Sequence, residues 1–280
     1  MDFRLYRYHL SPLSNTPFEI KYDSDAAITF TASQLKESKN KFFEDVLNNA
    51  DFYNDKRNVL KIELNDDQIF VIKLANKKYV TVVENFVEKE LPTQPFVYIL
   101  INNDSTVQKI AISHNSDAFS NPDVVKNILL KELDKSLAKA GLTIKIEGMY
   151  EKEAVWRMLG ANKNNLQSLQ IKYIKPNLAN ISSTLPEEFK LLTERLNSQE
   201  SSLNFRAPSN GVLENIDRNN SDLSGLIDYT SEGAGTVKIK VKGYRKVITS
   251  QDTPVEIGID EATFEGSPED VINAIKEVLL

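Results

Sequence analysis

Apolar residues recur along this chain with two different periods, and the period switches several times. Over residues 3–10, Phe3, Leu5, Arg7 and His9 alternate with Arg4, Tyr6, Tyr8 and Leu10, which places successive side chains on opposite faces of a strand. From 33 to 49 the period lengthens. Leu35, Phe42, Phe43, Val46 and Leu47 fall on one helical stripe, and Thr31 with Gln34 offers a capping box just ahead of it. The period then returns to two. Leu60, Ile62 and Leu64, a turn at Asn65-Asp66-Asp67, residues 69–74, a second turn at Asn76-Lys77-Lys78 and residues 79–87 spell an antiparallel meander. Residues 96–102 and 107–113, joined at Asn103-Asp104-Ser105, extend that sheet by one more hairpin.

A different organisation follows. Asn121 before Pro122 marks a helix start, and Val124, Val125, Ile128, Leu129, Leu133 and Leu137 make the stripe of a helix ending at Gly141. A strand at 142–148, a helix at about 150–159 holding Trp156 and closed by Gly160, and a strand at 168–175 stopped by Pro176 come next. Thr184 and Glu187 box a helix over about 185–197. Between 197 and 221, eleven of 25 residues are Ser or Asn, the composition of a loop or hinge. Residues 236–242 and 245–250 form a hairpin about Gly243, and 254–259 add a third strand. The terminal helix at 268–279 is capped by Ser267, with Pro268 at its first position, Asp270 completing the box, and Val271, Ile272, Ile275, Val278 and Leu279 inward. The pattern predicts an α+β protein of two lobes: an antiparallel sheet domain with a helix at 1–115, and a helix-rich mixed domain at 120–280 with its hinge at 197–221.

The 280 residues are 41% hydrophobic and 26% charged, enough to bury a core. No apolar run reaches the roughly 18 residues that span a bilayer, and Met-Asp-Phe-Arg does not open a signal peptide, so a soluble, unprocessed chain is expected. Zero cysteines remove disulfides, thiolate metal sites and a cysteine nucleophile, and with no signal peptide they place the chain in the cytoplasm. Phosphate-loop, dinucleotide, nucleophile-elbow and zinc-protease motifs are all missing. Asp23 and Asp25 begin like a calcium loop, but Ile28 stands where such loops need glycine. Asp2, Glu19 and Lys21 have the residue types of a metal-dependent nuclease, with carboxylates for the metal and lysine for the developing phosphate charge. Ordinary surface charges read the same way. His9, His114 and Trp156 read as structural or surface residues, and neither an enzymatic activity nor a cofactor is expected.

Charge changes the picture. The total of −6 argues against a polyanion binder, yet it averages opposed blocks. Residues 142–185 carry six basic and three acidic residues, 236–250 carry five basic and none acidic, and 251–280 carry one basic and eight acidic. In the strand at 236–242, Val237, Ile239 and Val241 face one way and Lys238, Lys240 and Lys242 the other, with alternate residues roughly 6.6 Å apart. That row, extended by Arg245 and Lys246, approximates the spacing of phosphates along a nucleic-acid strand. The same row also serves a strand that merely discourages edge pairing, or one answered by the acidic C-terminal block. Two readings therefore stand: a nucleic-acid backbone binder, and a protein-interaction or sensor module that docks partners through its apolar helical faces and acidic tail.

The segment from Phe96-Val97-Tyr98-Ile99-Leu100-Ile101-Asn102 through the helix at 122–140 and Met158-Leu159-Gly160-Ala161 to Ser168-Leu169-Gln170-Ile171-Lys172-Tyr173-Ile174-Lys175-Pro176 resembles the Rex exclusion protein A family of lambdoid prophages and related phage-defence proteins. The resemblance implies a cytoplasmic, dimeric, non-enzymatic protein that binds double-stranded DNA with little sequence preference. It also implies a role in phage exclusion by abortive infection, with a membrane-bound or other effector protein as partner. Lys172 and Lys175 lie in the resembling segment and join Lys238, Lys240, Lys242, Arg245 and Lys246 as candidate DNA contacts. The acidic total and tail depart from strong constitutive binding.

Overall fold

The computed structural model describes residues 1–21, 27–49 and 57–280. The chain opens on β1 (Asp2–Pro12), a short hairpin of β2 (Phe18–Lys21) and β3 (Ala27–Phe30), and helices α1 (Ala32–Glu37) and α2 (Lys39–Asn48). The capping box forms, with the Thr31 hydroxyl accepting from the Gln34 N–H. The single helix expected over 33–49 is broken at Ser38, and its stripe is still buried through Leu35, Phe43 and Leu47.

Six strands follow: β4 (Asn58–Asp66), β5 (Ile69–Asn76), β6 (Lys78–Glu84), β7 (Val87–Thr93), β8 (Phe96–Asn102) and β9 (Lys109–Ser113). They are not a simple meander. β4 pairs with β5, β5 with β8 and β8 with β9, all antiparallel, while β6 and β7 pair with each other as a separate two-stranded ribbon. Residues 79–87, expected as one strand, are most of an outgoing arm and its turn, reversed at Asn85 and Phe86, both at positive φ. The physical reason is burial. β5 is buried along nearly its whole length, so its second edge takes the strongly apolar β8 rather than β6.

Helix α3 (Pro122–Ala138) and strand β10 (Leu142–Gly148) match expectation; Asn121 accepts from the Val124 N–H, and Gly141 sits at φ +73°. Next come α4 (Lys152–Asn162), which runs through Gly160, then β11 (Leu166–Ile174), α5 (Ala179–Ser182) and α6 (Glu187–Leu196). Thr184 does not box α6: its hydroxyl donates to the Ile181 carbonyl, and Pro186 takes the cap position. The Ser/Asn-rich stretch read as a hinge holds a strand, β12 (Glu200–Arg206), and is followed by a helix not anticipated, α7 (Ser221–Tyr229), capped by Asn220. Then come β13 (Gly235–Val241), β14 (Ile248–Thr249), β15 (Glu256–Gly258) and α8 (Pro268–Leu279).

The architecture is α+β with antiparallel sheets. Its units differ from the expected halves at 1–115 and 120–280. One unit comprises Met1–Arg4, Pro12–Lys145 and Glu256–Leu280; the other comprises Leu5–Ser11 and Ile146–Val255. The first holds most of the sheet of order β10-β1-β9-β8-β5-β4, though only the ends of β1, and β15, expected to extend the hairpin about Gly243, pairs with the Asp2–Arg4 end of β1 instead, Phe3 facing Ile257. Helix α8 packs on β5, β8 and β9 with Val271, Ile272, Ile275 and Leu279 buried. In the second, the sheet order is β12-β11-β13-β14. One face of that sheet packs against α4 and α7, where Trp156, Leu159, Leu223, Leu226 and Ile227 meet Leu169, Ile171, Val237 and Ile239.

Candidate nucleic-acid interface

The second unit's sheet has an apolar and a polar face, and strand alternation decides which residues land on each. On β13 the inward Val237, Ile239 and Val241 are at most 1% exposed, while Lys238 is exposed and Lys240 half-buried on the other side. Register then assembles the polar face. Ser168 lies between Arg206 of β12 and Lys240 of β13; Gln170 lies between Asn204 and Lys238; Lys238 in turn faces Thr249. Lys242, Arg245 and Lys246 continue the strip past the end of β13, all exposed.

The predicted cations are not equivalent. The Lys240 ammonium folds back onto the Tyr244 and Arg245 carbonyls, tying the turn that Gly243 makes at φ +85°. The Lys172 ammonium sits 2.7 Å from Glu200 and 3.3 Å from Glu147. Burial alone pulls its pKa down, but the two carboxylates outweigh it and hold the group above its ordinary value. Its charge is already answered, so it adds little to the field outside. Lys175 donates to Asn197 at 3.0 Å, at the far end of the sheet from Lys240. Lys246 stands 3.9 Å from Asp252, a loose pair in solvent. The open cations are therefore Lys238 on β13, Lys242 and Arg245 just past its end and Arg206 on β12, while Lys240 between them is tied to its own turn. Arg206 was missed because it lay inside the Ser/Asn-rich stretch. The alternation of Ser201, Leu203 and Phe205 with Ser202, Asn204 and Arg206 was the signal that placed it on a strand.

The other sequence candidates disperse. Both His9 ring nitrogens are engaged, with Asn177 Oδ1 at 2.9 Å and the Gly233 carbonyl at 2.8 Å. Beside it, the Arg7 guanidinium donates to the Glu232 carbonyl at 2.6 Å. These residues pin Leu5–Ser11 to the turn after α7 and are structural. His114 lies 3.0 Å from Glu256 at the surface. Trp156 is buried, with Arg218 over its ring. Asp2 and Glu19 are exposed, and among the described residues no three His, Asp or Glu side chains gather as a metal site. The Asp23 and Asp25 pair lies outside the described residues. The docking surface expected of the terminal helix is occupied, since the apolar face of α8 lies in the core. Among the described residues no helix is long and apolar enough to cross a membrane. Comparison of the chain with protein-family models and with curated proteins finds no match to either.

Proposed function

We propose that the chain binds the backbone of double-stranded DNA, without base readout and without an enzymatic step, through the polar face of the β12-β11-β13-β14 sheet. The observation that carries this reading is the strip of Lys238, Lys242 and Arg245, exposed beside a strand whose opposite face is buried. Lys238 projects from a packed strand, so its backbone position is already fixed and only side-chain freedom is lost on binding. Arg206 widens the strip, and Gln170, Asn204, Ser168 and Thr249 supply uncharged donors for phosphate oxygens. Binding is weak, about 10⁻⁴–10⁻⁶ M at physiological salt, because the strip is short and the net charge of −6 opposes approach. Phage exclusion in the cytoplasm, as a homodimer working with a membrane-bound or other effector, is the setting that the resemblance of residues 96–176 adds to this proposal.

A mobility-shift titration against unrelated duplexes tests it. With about four phosphates neutralised, affinity falls roughly 10²-fold between 50 and 200 mM salt, whatever the sequence. Lys238→Gln alone reduces the salt slope by about one. Lys238→Glu, Lys242→Glu and Arg245→Glu together abolish the shift and leave thermal unfolding unchanged, because exposed charges contribute little to stability. No retardation at low salt, or retardation that survives the triple substitution, overturns the assignment.

A further inference from the structure

The β6–β7 ribbon exposes every residue of β6 and all of β7 but Thr93. Tyr79 is 73% exposed, Val83 66% and Phe86 fully so, and Val80, Val82, Val87 and Leu91 join them. A two-stranded ribbon standing by itself is marginally stable in water, and an apolar strand edge is a template for pairing. Its two outer edges are not alike. β7 is guarded by Glu88, Lys89, Glu90 and Pro92, whereas β6 runs Tyr-Val-Thr-Val-Val between Lys78 and Glu84 with no charge in between. The two-residue turn makes Glu84 and Val87 the first hydrogen-bonded pair. Residues 78, 80, 82 and 84 therefore turn their backbone groups to β7, and 79, 81 and 83 turn theirs outward.

We propose that the outer edge of β6 pairs antiparallel with the same edge of a second copy, about a two-fold axis at Thr81, giving a four-stranded sheet shared between two chains. What singles out a second copy is that the strand is complementary to itself. In this register Lys78 faces the partner's Glu84, Tyr79 faces the partner's Val83 and Val80 faces the partner's Val82, and the outward groups of 79, 81 and 83 complete about six ladder bonds. A two-residue slip sets Lys78 against an apolar residue and leaves Glu84 without a cation opposite. Lys78 donates to the Asp117 carbonyl and Glu84 accepts from Lys89, yet the ammonium keeps further donors and the carboxylate a second oxygen. The tip residue Phe86 reaches the base of the partner's ribbon beside Asn76 and Lys77. An edge contact is small against the roughly 800 Å² per partner of a standard interface, so the dimer is weak, with a Kd on the order of 10 μM. This edge shares no residue with the cationic sheet face; it rests on the proposed function only for the homodimer named there, and a mobility shift given by a chain that stays monomeric separates its failure from that of DNA binding.

The chain holds no cysteine, so one introduced thiol reports on the axis. Thr81→Cys, oxidised at about ten times the Kd, cross-links to a disulfide dimer, since hydrogen-bonded partners lie about 5.5 Å apart at Cα. Val83→Cys does not, because the two copies of residue 83 stand about 13 Å apart along the strands. In sedimentation equilibrium the unaltered chain moves from 31.7 kDa towards twice that mass with concentration. Thr81→Pro, which removes an outward N–H and no bond to β7, stays monomeric, and Lys78→Glu weakens the dimer about tenfold. A monomer at every concentration, a dimer indifferent to both substitutions, or equal cross-linking at 81 and 83 overturns the proposal.

Discussion

β6 and β13 are both seven-residue strands rich in β-branched residues, and they meet opposite fates. On β13 burial alternates with the side chains; on β6 no residue is buried at all. β13 has a strand on each side and two helices over one face, whereas among the described residues β6 has one neighbouring strand and side chains that all reach solvent. Strand propensity and alternation describe how side chains are dealt to two faces. They carry no information on whether either face acquires a cover. The covered strand becomes a rigid platform whose lysines keep fixed positions, and the uncovered one keeps an edge that can still pair.

The sharpest way to break this contrast is truncation of one apolar residue on each strand. Ile239→Ala costs about 3 kcal/mol by leaving a cavity in a packed core, and Val82→Ala costs less than about 0.5 kcal/mol because its side chain lies at the surface and leaves no closed cavity. For the first, denaturant unfolding followed by Trp156 fluorescence is the readout, since the only tryptophan sits in the same core as Ile239. For the second, whole-chain circular dichroism serves. Equal losses at the two sites would end the distinction.

The turns that close the two hairpins offer a smaller effect of opposite sign. Gly243 has φ +85° with no atom within 4 Å of an added Cβ, so Gly243→Ala costs about 1 kcal/mol through the backbone alone. Phe86 holds φ 64° with a bulky side chain, and Phe86→Gly relaxes the ribbon turn by about 1 kcal/mol, read as slower amide exchange across β6 and β7. Faster exchange in that variant would show that the aromatic ring supports the ribbon. Smallest of all is the effect of Lys238→Gln on unfolding, below about 0.5 kcal/mol, although the same change reduces the salt slope of DNA binding. A larger loss would make Lys238 a structural residue.

Much of this was legible in the sequence where local chemistry decides. Asn121 before Pro122 and Ser267 before Pro268 announce α3 and α8, because capping satisfies backbone groups within one turn. Gly141 and Gly243 lie at the positive φ their positions required. The lysine alternation on β13 was readable for the same reason, since the two-residue period belongs to the strand itself. Arg206 and α7 were also written locally, in the alternation of 201–206 and in Asn220 followed by Leu223, Leu226 and Ile227, and the high Ser and Asn content hid them.

Pairing and neutralisation were different. That β8 and not β6 lies against β5, that β15 joins β1 rather than the hairpin about Gly243, and that Glu147 and Glu200 quench Lys172 are outcomes of contacts between residues tens to hundreds of positions apart. By itself the sequence determined the elements, their caps and which residues share a face, because those follow from backbone sterics and hydrogen bonds a few residues long. Only the tertiary structure decided which faces are covered and which charges remain free, because burial and ion pairing depend on what competing segments bring to the same place.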